Sequence, residues 1–596
     1  MSEAVAMTGV ASTRDVAVVG AGPAGITAAL ALAEVGADVA LIGPALPQTS
    51  AASRDTRTAA LLSSSVDLLK ALRVWPALAP DAAPLETIRI IDASRSLVRA
   101  PDIEFKAGEL GLEAFGYNIA NTILVEALYA RAQEILPAVV AYGGQTPLNL
   151  AAPLVAAGVP LLGSDLEAID QAEERVRFAA LLDRLGIPQP DGGMAHSVDE
   201  ALTLAERIGY PVIVRPSFVI GGLAIDFCYS PEDLARQLAL ATIVDPDRPV
   251  RIDRYLEGIE VDIDAVSDGE HVLIPGLLEH VERAGVHSGD SVGVFPPQTV
   301  SEGDQDLIVS TMERIVLALG AKGVVNAQFI VRDDGVYLIE VNPRASRTVP
   351  FMSKVTGVPM VELAVRIALG ATLGELGWDG GLLPPPPFVA VKAPAFSTAK
   401  LRGVDPSVGP GMQSTGEVIG IHEDPRVALA KALRGAALVP PQPGVEGALA
   451  LLSIADRDKG MLPRLAAGLA GAGYRLAATP GTRREFAAAG YDALPVAKLG
   501  EAPDASLGEV PILDLIATGD VRLVVNPPTP RSGAVRDAAE IRHAATAEGI
   551  LCLTAIETAV AAAEALDPSI AVDVASVRPL GEWVPEPGQP RLVATA

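Results

Sequence analysis

Strand-like and helix-like segments alternate along most of this chain, and the alternation restarts at several points. DVAVVGAGPAGITAALALAEVGADVALIG, from Asp15 to Gly43, reads as a β run, a glycine turn, an Ala- and Leu-rich helix and a second β run, which is one βαβ unit. VVAYGGQTPLNLAAPLVAAGVPLLG, just after Ala138, again reads as strand, glycine turn, helix and short strand. Units of this kind assemble into doubly wound parallel sheets, because right-handed crossovers lay helices on the sheet faces. Helix and strand keep alternating to about Gly370, and a further α/β pattern opens at Ala448 with ALALLSIADRDKG and ends near Leu566. Pro384 to Pro387 and PPQPG at Pro440 to Gly444 read as linkers, since proline cannot donate to a helix or a ladder. The expected fold class is α/β multidomain, and 596 residues call for about three or four cores at roughly 150 residues each.

Composition removes several classes of function. With 46 Lys and Arg against 73 Asp and Glu, a formal net charge of -27 argues against a nucleic-acid surface, which needs clustered cations. Cys228 and Cys552 are the only two cysteines and lie far apart in sequence, so neither a disulfide framework nor a thiolate zinc site is available. A reducing cytoplasm is the expected setting. Gly, Pro and charges interrupt every apolar run before the ~18 residues of a membrane span, so no span is expected.

The richest chemistry lies in VYLIEVNP. Glu340 and Asn342 stand two apart on a strand, so both side chains leave one face and can present oxygens to one cation. Gln328 adds a third hard oxygen. Mg²⁺ takes few protein oxygens together with substrate phosphates, so this trio suits a nucleotide-bound metal. Just beyond, Arg344 and Arg347 offer planar guanidinium forks, each able to hold two oxygens of a transferring phosphoryl group. Phosphoryl transfer depends mainly on such positioning and charge neutralisation.

GGQTPLNLA, AEERVRF, LGIPQP, YPVIVRPSFVIGG, AGVHSGDS, NAQF and IEVNPRASRTVPF occur in that order between Gly143 and Phe351. In order and spacing they resemble the C-terminal synthetase half of the carbamoyl phosphate synthetase large chain, and the resemblance runs from about Leu136 to Leu566. It implies an ATP-grasp fold and an ATP- and Mg²⁺-dependent (or Mn²⁺-dependent) phosphorylation of carbamate to carbamoyl phosphate, for pyrimidine and arginine biosynthesis, with K⁺ as an accessory ion. The same resemblance implies that Asn342, Arg344 and Arg347 face the phosphoryl group and the carbamate, and that Arg175 and Arg215 contact the ATP phosphates or the loops around them. Arg254, Leu256 and Glu260 would line the adenine and ribose pocket. Gly285, Val286, His287 and Ser288 would follow in the same wall, with His287 orienting rather than titrating. Leu223 stands where the family usually has Arg, which removes one positive charge beside the phosphate-covering loop. The sequence holds neither a glutaminase portion nor a first synthetase half, so the resemblance implies a glutaminase small chain and a first half as partners, or self-association.

GAGPAG places Gly20, Gly22 and Gly25 between a strand and a helix, where absent side chains let a pyrophosphate approach the helix N-terminus. With DTRTAAL (Asp55 to Leu61) and GYNIAN (Gly116 to Asn121), the segment from about Asp15 to Ile135 is similar to the start of FAD-dependent hydroxylases of the ubiquinone-biosynthesis type. That implies FAD binding and, as an alternative function, a monooxygenase. The segment departs from that family at Ile42-Gly43, where an acidic residue is usual, and in lacking the downstream Gly-Asp motif and substrate domain.

From Ala448 the sequence resembles the regulatory domain of the same synthetase, a fold shared with methylglyoxal synthase. Ser453, Lys459, Thr479, Thr482, Lys498 and Asn526 then imply a phosphate or nucleotide effector, and an effector-binding subunit without turnover is the third reading. The expected domain map is a Rossmann-like fragment over 1–135, a remnant of a pre-ATP-grasp domain over 136–165, ATP-grasp over 166–375, and a helical linker region over 376–445. A methylglyoxal-synthase-like domain over 446–566 and a loosely ordered Pro-rich tail over 567–596 complete it.

Overall fold

The computed structural model describes residues 15–19, 22–43, 58–90, 103–135, 138–141, 155, 163–216, 226–240, 250–396, 405–443, 448–528 and 535–584. The chain forms two compact units, Met1–Pro160 and Leu161–Ala596. Among the described residues no helix is long and apolar enough to cross a membrane.

In the first unit, β1 (Val16–Val19), α1 (Pro23–Glu34) and β2 (Val39–Gly43) form the βαβ unit expected from the sequence. A third strand, β3 (Ala138–Ala141), pairs in parallel with β2, Ala40 opposite Ala138. Ile26, Leu30, Leu41, Leu124 and Leu128 fill the core between this sheet, α1 and the helix Asn121–Ile135. Thr58–Leu62, Gly116–Ala120 and Ala83–Pro84 make a small antiparallel sheet beside it. Sequence motifs assigned 136–165 to a different domain from 1–135. The structure instead takes β3 into the N-terminal sheet, because a free parallel edge accepts any short apolar strand of the right length.

The second unit carries three sheets. The first is antiparallel, built from β4 (Gly192–Ala195), β5 (Val212–Pro216), β6 (Asp226–Cys228) and β7 (Val250–Arg254) in the order β6-β5-β7-β4. The second contains β8 (Ile259–Ser267), β9 (Val272–Arg283), β10 (Gly293–Phe295), β11 (Gly323–Arg332), β12 (Gly335–Asn342), β13 (Val389–Ala395) and β14 (Gly416–His422), in the order β12-β11-β8-β9-β10-β13-β14. Helices cover both of its faces, which is why β8 and β9 are buried almost throughout rather than alternately.

Before this sheet runs α2 (Arg175–Leu185), whose Leu181 and Leu182 join the core of one face. On that face lies α3 (Glu302–Leu319), placed by Ile308, Met312, Ile315 and Val316 against Val261 and Ile263. Ser301 caps it by accepting from Asp304 N, and Gly320 at φ 63° ends it in the left-handed conformation open to glycine. On the other face α4 (Val349–Thr356) and α5 (Met360–Ala368) bring Phe351, Met352, Leu363 and Ile367 against Leu273, Leu278 and Phe295.

The proline run at 384–387 does not end this domain. β13 follows almost at once and pairs with β10, so residues placed by sequence in a linker region extend the large sheet. Proline stiffens the approach to a strand without preventing the strand itself.

The third sheet is all parallel: β15 (Leu449–Leu452), β16 (Arg475–Ala478), β17 (Ala493–Ala497), β18 (Val510–Pro511), β19 (Val521–Val525) and β20 (Leu551–Leu553), in the order β18-β17-β16-β15-β19-β20. One core joins it to the large sheet. Val391 of β13, Leu433 of α6 (Pro425–Gly435), Leu465 of α7 (Leu462–Gly471), and Leu523 of β19 share a cluster. Near the end of the described residues Trp583 meets Phe388 edge to face with ring centroids 5.8 Å apart, and Arg578 lies 4.1 Å from the Trp583 ring centre. The tail's proline content suggested a loose end, but the indole finds an apolar seat on the large domain.

Candidate nucleotide and effector sites

Within the second unit, between the β6-β5-β7-β4 sheet and the large sheet, lies a cleft of ≈ 400 Å³. Ile213, Phe227 and Arg254 line it from one side, and Glu260, Gln328, Glu340 and Asn342 from the other. It gathers residues far apart in sequence. Of the residues singled out from the sequence, Arg254, Leu256, Glu260, Gly285, Val286, His287, Ser288, Gln328, Glu340, Asn342 and Arg344 all line it. Arg347 does not; its guanidinium turns to Met412 and to Ser414 Oγ at 3.5 Å. The side chains of Arg175 and Arg215, and the whole of Gly20, Leu223 and the GGQTPLNLA motif, lie outside the described residues.

One end of the cleft is apolar. Leu256, Ala284 and Ile330 pack together with Tyr337 and Ile339 against them. A flat ring system can be covered here at little desolvation cost. Gly285 adopts φ +112°, and a Cβ there would sit 2.8 Å from the Phe227 ring, so the loop entering this wall requires glycine. Tyr255 braces the same loop by donating its hydroxyl to Ala284 O at 2.7 Å.

The other end is polar. Glu340 and Asn342 leave the same face of β12, and Asn342 Nδ2 donates to Glu340 Oε1 at 3.0 Å. Arg344 Nη2 donates to Asn342 Oδ1 at 3.2 Å. Gln328 donates its amide nitrogen to Asp262 Oδ1 at 2.9 Å, which leaves its oxygen as the free acceptor. Three hard oxygen donors therefore converge, a set that fits Mg²⁺ shared with phosphate oxygens. A β-bulge between Gln328 and Phe329 disturbs the register with β12, so that Ile339 also reaches the cleft beside Glu340.

Behind this end Asp262, His280 and Glu260 form a buried line, with Asp262 Oδ2 3.2 Å from His280 Nε2 and Glu260 Oε1 3.8 Å from His280 Nδ1. Their oxygen and nitrogen atoms come within 4.8 Å of one another. Burial opposes ionisation of Asp262, yet the imidazole and the hydrogen bonds from His280 and Gln328 outweigh it and hold the carboxyl below its usual range. Burial pushes Glu260 up to about 7, against the pull of His280. His287 is held below its ordinary value by burial; its Nδ1 accepts from Gly289 N at 3.0 Å, which leaves the proton on Nε2.

Several cleft residues carry no local motif. Phe178 closes the AEERVRF motif, and Ile330 directly follows NAQF, where strand alternation from Gln328 would have found it. Pro410 arrives from a distant loop with no signal of its own. That loop is pinned over the site. His287 N donates to Gly409 O at 2.7 Å, and Asp290 accepts from Gln413 N and Ser414 N at 2.8 Å each.

In the third sheet, Ser453, Thr479, Lys498 and Asn526 each directly follow the C-terminal end of a parallel strand, β15, β16, β17 and β19. The order reverses between β15 and β19, the switch point where a crevice opens in such sheets. Asn526 Nδ2 donates to Ser453 O at 3.3 Å across it, and Thr479 and Thr482 bring their hydroxyls within 3.5 Å of each other. Lys459 rests on Asp456 at 2.7 Å, while Lys498 is exposed near Glu501 at 3.9 Å.

Sequence reasoning missed Arg542, on α8 (Val535–Ala547), which is 4% exposed. Its guanidinium donates to Asn526 Oδ1 at 3.2 Å and forks onto Asp405 at 2.6 and 2.7 Å. Arg283, at the end of β9, makes ion pairs with Asp458 and with Glu557 of α9 (Ile556–Glu564) at 2.8 and 2.6 Å.

The architecture defines the class: residues 174–376 match the carbamoyl-phosphate synthase L chain, ATP binding domain family, and residues 461–554 the MGS-like domain family. This is an ATP-grasp domain followed by a methylglyoxal-synthase-like domain. Over 434 residues, 73% of this chain, it is 50% identical to the carbamoyl phosphate synthase large chain of Thermomicrobium roseum, and is a homologue of that protein over this span. The match covers 39% of the relative's length, so the chain spans well under half of it. Residues 13–136 match an FAD binding domain family. Among solved structures, a biotin carboxylase complex from Campylobacter jejuni is 16% identical with TM-score 0.44, covering 71% of this chain and 91% of that one. The biotin carboxylase domain of Hydrogenobacter thermophilus 2-oxoglutarate carboxylase is 17% identical with TM-score 0.44, covering 71% and 90%.

Proposed function

We propose that the second unit is the carbamate-phosphorylating half of a carbamoyl phosphate synthase. The observation that carries the reading is the convergence of Gln328, Glu340, Asn342 and Arg344 at the polar end of a cleft whose other end suits an adenine ring. A carbamate oxygen attacks the γ-phosphorus of ATP, the bond to the β,γ-bridging oxygen breaks, and ADP leaves with charge that Arg344 neutralises; a bound Mg²⁺ would supply further charge neutralisation there. Gln328, Glu340 and Asn342 would hold Mg²⁺ or Mn²⁺. Glu260 would accept from the ribose hydroxyls, and K⁺ is the accessory ion. A glutaminase chain and a first synthetase half, or a second copy, would supply ammonia and carboxyphosphate in the cytoplasm. Ser453, Lys459, Thr479, Thr482, Lys498 and Asn526 would receive a phosphate-bearing effector.

The test supplies the purified full chain with ATP, Mg²⁺, bicarbonate, ammonia and those partner chains, and follows ADP and carbamoyl phosphate. Two ADP per carbamoyl phosphate are expected, one from the carboxyphosphate made by the first half and one from carbamate phosphorylation on this chain. ADP from the first half without carbamoyl phosphate would sink the reading and favour an effector-binding subunit.

The FAD-family match of residues 13–136 supports a second reading for the first unit. Gly22, extended at φ -81° and ψ 175°, precedes α1 with Pro23 in its first turn, and the uncommitted N–H groups there suit a pyrophosphate. Flavin absorbance in the purified protein is the expected sign of it.

A further inference from the structure

Asp264 sits inside β8, 1% exposed, and lines no part of the cleft. Its Oδ1 accepts from Asn326 Nδ2 at 3.0 Å and from Ser346 Oγ at 2.7 Å, and its Oδ2 accepts from Thr348 Oγ1. Thr348 N in turn donates to Ser346 Oγ at 3.1 Å. Ser346 and Thr348 flank Arg347 and follow Arg344, so one buried carboxylate ties down the turn just beyond Arg344, the arginine that lines the cleft. Asn326 stands opposite Asn342 in the β11–β12 register, and its Oδ1 lies 3.5 Å from Asn342 Nδ2. Asp264 thus reaches the strand end that offers oxygen to the metal as well as the turn beyond it.

Burying a carboxylate is costly, and here burial raises its pKa to about 6 even against three donors. An apolar residue would pack β8 at lower cost, and the neighbouring positions Ile263 and Ala265 are apolar. What the carboxylate adds is rigidity in a polar turn. Exposed arginines stabilise a transition state only if their backbone is already in place, because ordering them during the reaction costs entropy.

We propose that Asp264 is a positioning residue for phosphoryl transfer: it holds the Arg344–Arg347 turn and, through Asn326, the metal-facing Asn342 as one pre-arranged unit. This rests on the nucleotide reading of the cleft. It predicts that loosening the network harms turnover and metal geometry but spares nucleotide binding, since Arg254, Leu256, Glu260 and the 285–288 loop lie outside it.

The experiment compares Asp264→Ala, Ser346→Ala and Asp264→Asn with wild type in the full chain. Asparagine can still make the three hydrogen bonds once the Thr348 hydroxyl reverses to accept, so it is the conservative rescue. Affinity for a fluorescent ATP analogue should stay within about threefold in all three. Carbamoyl phosphate formation with the partner chains present should fall about 100-fold in D264A and about tenfold in S346A, and return to within about fivefold of wild type in D264N. Affinity for Mn²⁺ in the presence of a non-hydrolysable ATP analogue, read by electron paramagnetic resonance, should weaken about tenfold in D264A and recover in D264N.

Turnover and Mn²⁺ affinity within threefold of wild type in S346A and D264A would overturn the proposal. So would an equal loss of nucleotide affinity and turnover in S346A, which would make the network general scaffolding. A wild type that binds the Mn²⁺–nucleotide complex yet forms no carbamoyl phosphate counts against the proposed function; the Mn²⁺ readout then decides the positioning role by itself.

Discussion

The two units would offer a phosphate different things. In the first, the offer would be backbone alone, Gly22 and the N-terminus of α1 beside a three-stranded sheet. In the second, side chains from Phe178 to Pro410 must meet before a cleft exists at all. The start of α1 is a local feature, whereas the cleft is a property of a whole folded unit. Dependence on distant residues is what separates them.

The sharpest way to break that comparison is Glu340→Ala. Loss of the carboxylate proposed to hold the metal should lower carbamoyl phosphate formation about 10²–10³-fold, with the absorbance of any flavin on the first unit unchanged. A variant with wild-type turnover would put the cleft on the same footing as the start of α1.

Asp405→Ala comes next. It leaves the Arg542 guanidinium, 4% exposed, with Asn526 alone, and should destabilise the second unit by about 2–4 kcal/mol in urea unfolding. A midpoint equal to wild type would mean that water takes the place of the carboxylate.

Glu260→Gln gives a smaller, pH-dependent effect. Because the folded carboxyl titrates near 7 rather than at its ordinary 4.5, its stability contribution is full below 4.5 and is lost as the pH rises through 7. Glutamine imitates the protonated form. Thermal unfolding should therefore match wild type in mild acid and exceed it above neutrality by on the order of 1–2 kcal/mol. A constant difference at all pH values would contradict the buried, proton-holding state of Glu260.

The smallest effect is expected from a chain beginning at Leu161. All described residues lining the cleft belong to the second unit, so nucleotide affinity should change by less than about twofold in a fluorescence titration. A large loss would show that the cleft depends on the first unit as well.

How much of this was legible in the sequence follows from the range of each cause. The shared face of Glu340 and Asn342 is a consequence of the two-residue strand period, and the sequence carries it directly. The bulge that brings Ile339 beside them is a matter of register against β11, which no local pattern encodes. Arg542 reads as an ordinary helix cation until Asp405, over a hundred residues away, is folded against it. β3 is the reverse case. Its motif context pointed to a different domain, and only the parallel register against β2 shows which sheet it joins. The glycine at 285, by contrast, is marked in its motif, and the reason becomes visible only with Phe227 in view.

The seat of Trp583 on Phe388, with Val584 only 7% exposed in the same cluster, has a consequence for the order of events in synthesis. A ribosome releases the strands of the large sheet long before it releases these last described residues. Until then an apolar notch beside Phe388 and Ala390 stands uncovered on a nearly finished domain. Early termination a few codons before Trp583 would thus yield a chain with every described strand present and an exposed apolar gap, a target for chaperones rather than a slightly shorter version of the same protein.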